Sequence, residues 1–490
     1  MLDINECEEE IIMNQYQTPL FDKLIEHTNE NPVSFHVPGH KNGRVFPSQK
    51  INPFKEMMPL DLTELSNLDD LHQPEGVIQE AEALAADYFQ VEQTFFLVNG
   101  TTSGNLAMIL ATCSPGDEIL VQRNSHKSIM HALELAGAQP IFVSPDDDEQ
   151  VDRVSIISRE TIQEAINRYP SIKAVVLTYP DYFGSTYDLE KIIELCHEKN
   201  LPVLVDEAHG AHLQLGTPFP KSAIECGADV VVHSAHKTLP ALTMGSYLHV
   251  CSSKRISIKR IAHYLQMVQT SSPSYVVMAS LDLARYFLAT RTKKDLEATF
   301  SQIQKIRDLL SSLQNVSMQS VRPGIDDPMK TTLYSNDVDM RDLDAQLQAN
   351  GIYAEMVQNN QLLVIHGFYD EQFDFSRLEQ AVKSVNKLKL NDFHGKITSR
   401  HAEKDIQRLE LSFQELHHLE TEWVPWSKAV GRLAAETVTP YPPGIPLILR
   451  GERIREKDLE VLHSKEQLFQ SIQYDGYDLT RGMTVYREQI

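Results

Sequence analysis

The chain is 490 residues long, 42% hydrophobic and 23% charged, a globular composition with more length than a single hydrophobic core uses. Lys and Arg number 45 against 68 Asp and Glu, a formal charge of −23. That balance argues against nucleic acid or an anionic membrane as the main partner, because both call for a basic surface.

In chain order, the first 15 residues are acidic and lack the basic and apolar regions of a signal peptide; they read as a solvated, mobile end. TPLFDKLIEHTNE at 18–30 has the spacing of a short amphipathic helix, and FHVPGHKNG at 35–43 is a Pro/Gly turn with two histidines. From about 75 to 250, short apolar runs alternate with helical patterns. The runs are 94–98 (TFFLV), 118–121 (EILV), 140–143 (PIFV), 174–177 (AVVL), 202–205 (PVLV) and 229–232 (DVVV). Between them lie helical stretches such as VIQEAEALAADYF, GNLAMILATC, KSIMHALELAG, TIQEAINRY and LEKIIELCHEKN. Strands without alternation, separated by helices, predict βαβ units and a mostly parallel sheet covered on both faces. Residues 255–315 read as helical. A smaller α/β segment follows at about 330–390, with TTLYS, the helix DLDAQLQANG, a hairpin of AEMV and QLLVIHG, and the helix RLEQAVKSVNKL. Residues 395–422 read as a charged surface helix, and PYPPGIPLIL as a rigid turn entering an apolar run. The five cysteines, at 7, 113, 196, 226 and 251, contain no C-x-x-C. No apolar run approaches the ~18 residues of a membrane span, so a cytoplasmic protein is expected.

Ligands of such sheets bind at the carboxyl ends of the strands. After 94–98 comes Asn99-Gly100-Thr101-Thr102-Ser103-Gly104-Asn105, a hydroxyl-rich turn opening a helix, which suits a phosphate or serves as an ordinary N-cap. After 118–121 comes His126; after 202–205, Asp206, Ala208 and His209; after 229–232, Ser234, His236 and Lys237. A carboxylate after a buried strand needs a partner or a task. A lysine there is desolvated towards a usable amine nucleophile. A zinc cluster from His209, His212, His233 and His236 leaves Lys237 and the hydroxyl turn unexplained, and no G-x-S-x-G elbow is present. A phosphate seat, a histidine, a carboxylate and a lysine on four strand ends are the parts that hold pyridoxal 5′-phosphate (PLP).

The segments FHVPGHKNG, DLTELSNLDDLHQPEG, FFLVNGTTSGN, QRNSHKS, VLVDEAHGAH, SAHKTLPA, QTSSPSY and PYPPGIP together resemble the Orn/Lys/Arg decarboxylase family, in family order along nearly the whole chain. The resemblance implies the α/β, type I aminotransferase-like PLP fold, with a mostly parallel sheet in the large domain, a smaller α/β domain and a C-terminal α/β cap. The expected division is a linker at 1–50, a PLP domain at 51–300, a small domain at 301–392 and a decarboxylase C-terminal domain at 393–490. By position, Lys237 matches the Schiff-base lysine, Asp206 the aspartate facing the pyridine nitrogen, His126 the histidine stacked on the ring, and Ala208 the residue against it. Gly100, Thr101 and Thr102 match the phosphate-binding turn, Ser234 and His236 the neighbours of the lysine with Ser234 near the phosphate, and His209 is also counted among the cofactor-binding residues. Ser271, in the loop 269–275, matches the segment that reaches the neighbouring subunit's cofactor, implying a homodimer with shared active sites. The chain departs from the longer lysine decarboxylases at His209, where they carry tryptophan, and at GTTSGN, where they carry GTSTAN. It also begins near the linker, so a short form without their N-terminal domain is expected.

The implied activity is decarboxylation of arginine, lysine or ornithine to the amine, feeding polyamine metabolism. Lys237 and His126 are the candidate proton donors to Cα. Rival readings are another PLP reaction on this fold, such as transamination or β-elimination, or a non-catalytic relative. Transamination calls for a carboxylate-binding arginine, and residues 330–390 offer only Arg341 and Arg377. For the cationic substrate tail, the acidic stretch 61–75 with Glu64, Asp69, Asp70 and Glu75 is one candidate, and Glu436 with Tyr441 another.

Overall fold

In the computed structural model the described residues are 13–45, 54–369 except 149 and 152, 373–393, 406–441, 444–465, and 471–487 except 475, 477, 478 and 480. The first half of the chain runs through α1 (Pro19–Asn29), α2 (Val77–Phe89), β1 (Gln93–Leu97), α3 (Gly100–Thr112), β2 (Glu118–Gln122), α4 (Lys127–Ala136) and β3 (Gln139–Val143). A small hairpin, β4 (Asp146–Asp148) and β5 (Arg153–Ile156), precedes α5 (Arg159–Arg168), β6 (Ala174–Thr178), α6 (Leu189–Glu198), β7 (Val203–Asp206), β8 (Val230–His233), the single turn α7 (Ala235–Thr238) and β9 (Ser246–Val250).

These strands form one sheet in the order β1-β9-β8-β7-β6-β2-β3, closed at its far edge by a later strand. Neighbours from β8 through β3 are parallel. β9 runs antiparallel to both β8 and β1, so β1 points the same way as the parallel strands. The runs lack alternation because both faces are covered. On β7, Leu204 packs with the layer that holds Ala107 and Leu133 of α3 and α4. Its neighbours Val203 and Val205 pack with Ile162 and Ile192 of α5 and α6. All six apolar runs read from the sequence are strands of this sheet. β9 was not among them: its sequence, SYLHV, carries Ser246 and His249, yet every residue is buried. His249 is satisfied across the sheet, by Thr94 at 2.9 Å and His233 at 3.1 Å, and so reads as polar in sequence while lying in the core.

Helices α8 (Ile258–Val268), α9 (Tyr275–Thr290) and α10 (Lys293–Leu310) lead into a second, four-stranded antiparallel sheet. It comprises β10 (Ser317–Met318), β11 (Lys330–Tyr334), β12 (Met356–Gln358) and β13 (Gln361–Ile365), with α11 (Met340–Ala349) and α12 (Phe375–Val385) packed on it. β12 and β13 form the expected hairpin.

The expected helix at 395–422 is corrected where the residues are described; its first part, through 405, lies outside them, as does the acidic start through residue 12. Ile406, Leu409, Phe413 and Leu416 are buried, and their spacing of three and four mimics a helical stripe. The open edge of β3 instead takes β14 (Ile406–Arg408) as an antiparallel strand. Ser412 and Glu415 then form a capping box that starts only the short α13 (Phe413–His417). The remaining elements are β15 (Thr421–Pro425), β16 (Val438–Tyr441), α14 (Glu456–Lys465), β17 (Ser471–Tyr474) and β18 (Gly482–Tyr486), paired as β15–β18 and β16–β17.

Candidate active site

The carboxyl ends of β1, β2, β6, β7 and β8 share one edge of the sheet, and the predicted residues stand there. β7 ends at Asp206, which is buried. Its Oδ2 accepts from Asn105 Nδ2 at 2.9 Å, and its Oδ1 from the Ala208 N–H at 3.2 Å. Asn105 spends its amide on both sides, since Nδ2 also donates to Ser128 Oγ at 2.9 Å. Ser128 Oγ lies 2.9 Å from His126 Nδ1, and the Ser128 N–H donates to the same nitrogen at 3.2 Å. A carboxylate can only accept from Asn105, which fixes the amide's orientation and makes His126 Nδ1 an acceptor. His126 is therefore the tautomer protonated at Nε2. Burial pulls it down to about 4, outweighing the opposing pull of Asp206, so the ring is neutral at pH 7.

The last strand end supplies the amine. β8 runs into Ser234 and α7, which carries Lys237. Its Nζ lies 3.0 Å from His209 Nε2 and 5.7 Å from the centre of the Tyr182 ring. Burial draws the amine down to about 8, against the pull of Asp206. His209 packs against Tyr182 with the rings tilted by 56° and their centres 4.3 Å apart, and burial holds its basicity well below the usual range. With Lys237 donating to Nε2, the His209 Nδ1–H is a buried donor with no partner. Asn105 Oδ1 is likewise buried and unpartnered.

The hydroxyl turn opens α3. Gly100 sits at φ +73, in the left-handed region, with nothing within 4 Å of where a Cβ would stand. Thr101 Oγ1 and Ser234 Oγ are 2.8 Å apart, joining the ends of β1 and β8. Thr102 is exposed at the same helix start. Gly104 is required by packing, since a Cβ there would meet Leu97 and Val232 at 2.8 Å.

Other predicted residues stand apart. His236 turns away and bonds the Gly245 carbonyl at 3.0 Å. Ser271 is exposed, in a loop held to the start of α3 by the Thr270 N–H on Asn99 Oδ1 at 3.2 Å. Asp69 is a capping residue: its carboxylate accepts from the N–H groups of Asp70, Glu75, Gly76, Ile78 and Gln79. Burial alone would raise its pKa, yet these bonds hold it below the usual range. Glu64, Asp70 and Glu75 are exposed. Glu436 is buried and accepts from the Thr484 N–H at 3.2 Å; the Tyr441 side chain and residues 442–443 lie outside the described residues. Arg341 is spent on Asp339, at 2.6 and 3.0 Å, and Arg377 is exposed. The histidine pairs weighed for zinc diverge: His212 bonds Asp327 at 3.1 Å and His233 bonds Glu207 at 2.7 Å.

Several participants escaped the sequence reading. Asn105 was visible as the last residue of the hydroxyl turn. Tyr182 lies beyond the end of β6, a strand end of the same kind, and carries no charge to mark it. Arg123 clamps the C-terminal part onto the loop after β2, through Glu452 at 2.7 and 2.8 Å and the Pro446 carbonyl at 2.8 Å. The Lys127 N–H, next to His126, donates to the Gly444 carbonyl at 3.0 Å, so Gly444 adjoins the cluster.

Comparison with known proteins agrees along the chain. The major domain of Orn/Lys/Arg decarboxylases matches residues 18–334, and their C-terminal domain matches 392–473. "Uncharacterized protein YaaO" of Bacillus subtilis is 42% identical over 479 residues, 96% of this chain and 99% of that protein. The arginine decarboxylase of Bacillus anthracis is 34% identical over 465 residues, 92% of this chain and 93% of that protein. In fold, the lysine decarboxylase LdcF of Francisella novicida superposes with a TM-score of 0.81 at 19% identity, covering 96% of this chain and 81% of that one. Both the matched domains and the full-length relatives lead to one conclusion: the chain belongs to the Orn/Lys/Arg decarboxylase family.

Proposed function

We propose that this protein is a PLP-dependent arginine decarboxylase, converting arginine to agmatine and CO₂. The observation that carries the reading is Lys237, an amine drawn down to about 8 by burial, one strand from the anchored carboxylate of Asp206. The preference for arginine is supported by relatives named arginine decarboxylase that are 34% identical over more than nine-tenths of this chain.

The donor set fits PLP. Lys237 supplies the amine, Asp206 an acid for a ring nitrogen, and the Thr101–Ser234 hydroxyl pair at the start of α3 a phosphate seat. The open space over Gly100 leaves room for that phosphate, with Thr102 beside it. The buried Nδ1–H of His209 is a donor without a protein partner. His126 and Ala208 would flank the ring. When bound, PLP supplies an aldehyde that condenses with amines and a ring that accepts the electron pair of the breaking Cα–carboxylate bond.

The protein's own groups do the rest. Lys237 is partly neutral near pH 8, so it can act as a nucleophile and take up a proton. Asp206, held through both oxygens by Asn105 and Ala208, would keep a proton on the ring nitrogen. The Asn105–Ser128 relay holds His126 neutral with Nε2 bearing its hydrogen. Lys237 Nζ and His126 Nε2 are the two groups that can hand Cα the proton that replaces the carboxylate. Tyr182, His209 and the Gly444 turn screen water from the cluster, which favours loss of a carboxylate whose charge disperses as CO₂ leaves.

The same reading includes a cytoplasmic homodimer in which Ser271 serves the neighbouring cofactor. It divides the chain into domains near residues 50, 300 and 392, and agmatine then enters polyamine metabolism. Among the described residues no helix is long and apolar enough to cross a membrane. The test of substrate choice is kcat/KM for arginine, lysine and ornithine on the PLP-loaded protein, with products identified by mass spectrometry. Arginine is expected to lead by about tenfold or more, equivalent to ~1.4 kcal/mol in the transition state; a lead for lysine or ornithine would overturn the arginine assignment.

A further inference from the structure

We propose that Gln269 and Thr270 are positioning residues for the phosphate of the cofactor: Gln269 holds the last peptides of β1, and Thr270 keeps the start of α3 open to an anion. The inference rests on the PLP part of the reading above, not on the choice of reaction or substrate. β1 is the outermost strand of the large sheet and pairs on one side only, with β9. The strands that lead to Asp206 and Lys237 have a strand on each side. The phosphate turn follows β1 directly, so it lacks that support on its outer side.

Side chains take the place of the missing strand. On the open edge, the Phe96 N–H donates to Glu82 Oε1 at 2.8 Å. Gln269 then meets two peptides with one amide: its Oε1 accepts from the Val98 N–H at 2.8 Å, and its Nε2 donates to the Phe96 carbonyl at 3.3 Å. Residues 96 and 98 are one strand period apart, so their peptide groups face the same edge. A planar amide that presents a donor and an acceptor copies the pattern of a neighbouring strand there. Gln269 is buried at the end of α8, where its own N–H bonds the Leu265 carbonyl at 2.9 Å. Ile261 and Leu265 of α8 pack in one layer with Ala107 and Met108 of α3, so the amide is aimed from a helix end that the core holds.

The next residue acts on the helix start. Asn99 occupies the N-cap position of α3 yet makes no capping bond. Its Oδ1 accepts from the Thr270 N–H at 3.2 Å instead, and the Thr270 carbonyl accepts from His72 Nε2 at 2.9 Å. An asparagine at that position ordinarily takes up one of the first N–H groups of its helix. Here it is drawn aside, which leaves those donors to an anion. The Gly100 N–H is spent on the Met244 carbonyl at 3.0 Å, so the turn is pinned from the β9 side as well. A cover over an open edge also blocks pairing with another chain, a role to which the phosphate of a cofactor is indifferent.

The test uses two variants. Gln269→Met keeps the shape and removes both amide bonds. Thr270→Pro removes the N–H that holds Asn99, at an exposed position after a residue whose extended backbone suits a following proline. The cofactor-free proteins are titrated with PLP and with pyridoxal, which has the aldehyde and lacks the phosphate. Each Kd is read from the visible absorption of the ligand joined to a protein amine. Gln269→Met is expected to lose about 10-fold or more in PLP affinity, and Thr270→Pro about fivefold, the worth of a helix cap that now competes. Pyridoxal affinity should hold within about twofold in both. Adding Asn99→Ala to Thr270→Pro removes the competing cap and should restore the preference for PLP. An unchanged preference in the folded variants, an equal loss for both ligands, or a double variant without recovery would overturn the proposal. Where Gln269→Met does not fold, Thr270→Pro and its rescue decide by the same outcomes. A wild type that joins neither ligand would overturn the PLP reading itself. A wild type that takes up PLP and releases no CO₂ from any basic amino acid would overturn the decarboxylase assignment and leave the roles of Gln269 and Thr270 standing.

Discussion

Lys237→Ala is expected to lower arginine turnover by about 10⁴-fold or more and to remove the visible absorption of PLP joined to a protein amine. Among the described residues no other amine is placed to replace it. Lys330, the second buried lysine of the neighbourhood, is committed to the Tyr182 carbonyl and lies in the field of Asp327. The substitution leaves the sheet untouched, because the Lys237 amine bonds only His209 among the described residues, outside the strands. The sign of the pH dependence follows from burial. The neutral amine is the nucleophile, and burial draws Lys237 down to about 8. PLP uptake by the cofactor-free protein should therefore quicken as pH rises through about 8 and level off above it. Absorption spectra and single-turnover assays of the variant check both parts; a variant that keeps the absorption and turns over would show that another group carries the chemistry.

Asp206→Asn is expected to lower kcat by about 10³-fold while retaining the visible absorption, because Lys237 is untouched. Two losses combine. The charge that would hold a proton on the ring nitrogen disappears. The Asn105 amide also meets a carboxamide in place of a carboxylate. If the new NH₂ faces Asn105, that amide must turn, and its donation to Ser128 Oγ at 2.9 Å is lost. Ser128 Oγ then turns its hydrogen to Asn105 Oδ1, and His126 Nδ1 keeps only the Ser128 N–H at 3.2 Å. Spectra and kcat measured together separate this variant from Lys237→Ala, since only the lysine variant should lose both. Full kcat in Asp206→Asn would remove the carboxylate from the mechanism.

What could be read in the sequence followed burial. β6, β7 and β8 are covered on both faces, so each appears as an unbroken apolar run, and the polar residues after β7 and β8 mark the site. β9 was hidden because its two polar side chains are satisfied inside the core, His249 by partners on β1 and β8. The segment around Ile406 was misread because its apolar spacing satisfies a helix, while the open edge of β3 offered backbone partners that no local pattern announces. The acids divided for a related reason. Asp69 sits in a family motif and looks functional, yet its oxygens close the start of α2. Asp206 ends a buried strand, and its oxygens are held at the site itself, by Asn105 and Ala208.

The most direct measurement is product analysis of purified, PLP-loaded protein given arginine labelled at the carboxyl carbon. The account predicts labelled CO₂ and agmatine in equal amounts, with no keto acid. Keto acid formed without CO₂ would contradict it and make the protein a different PLP enzyme on the same fold.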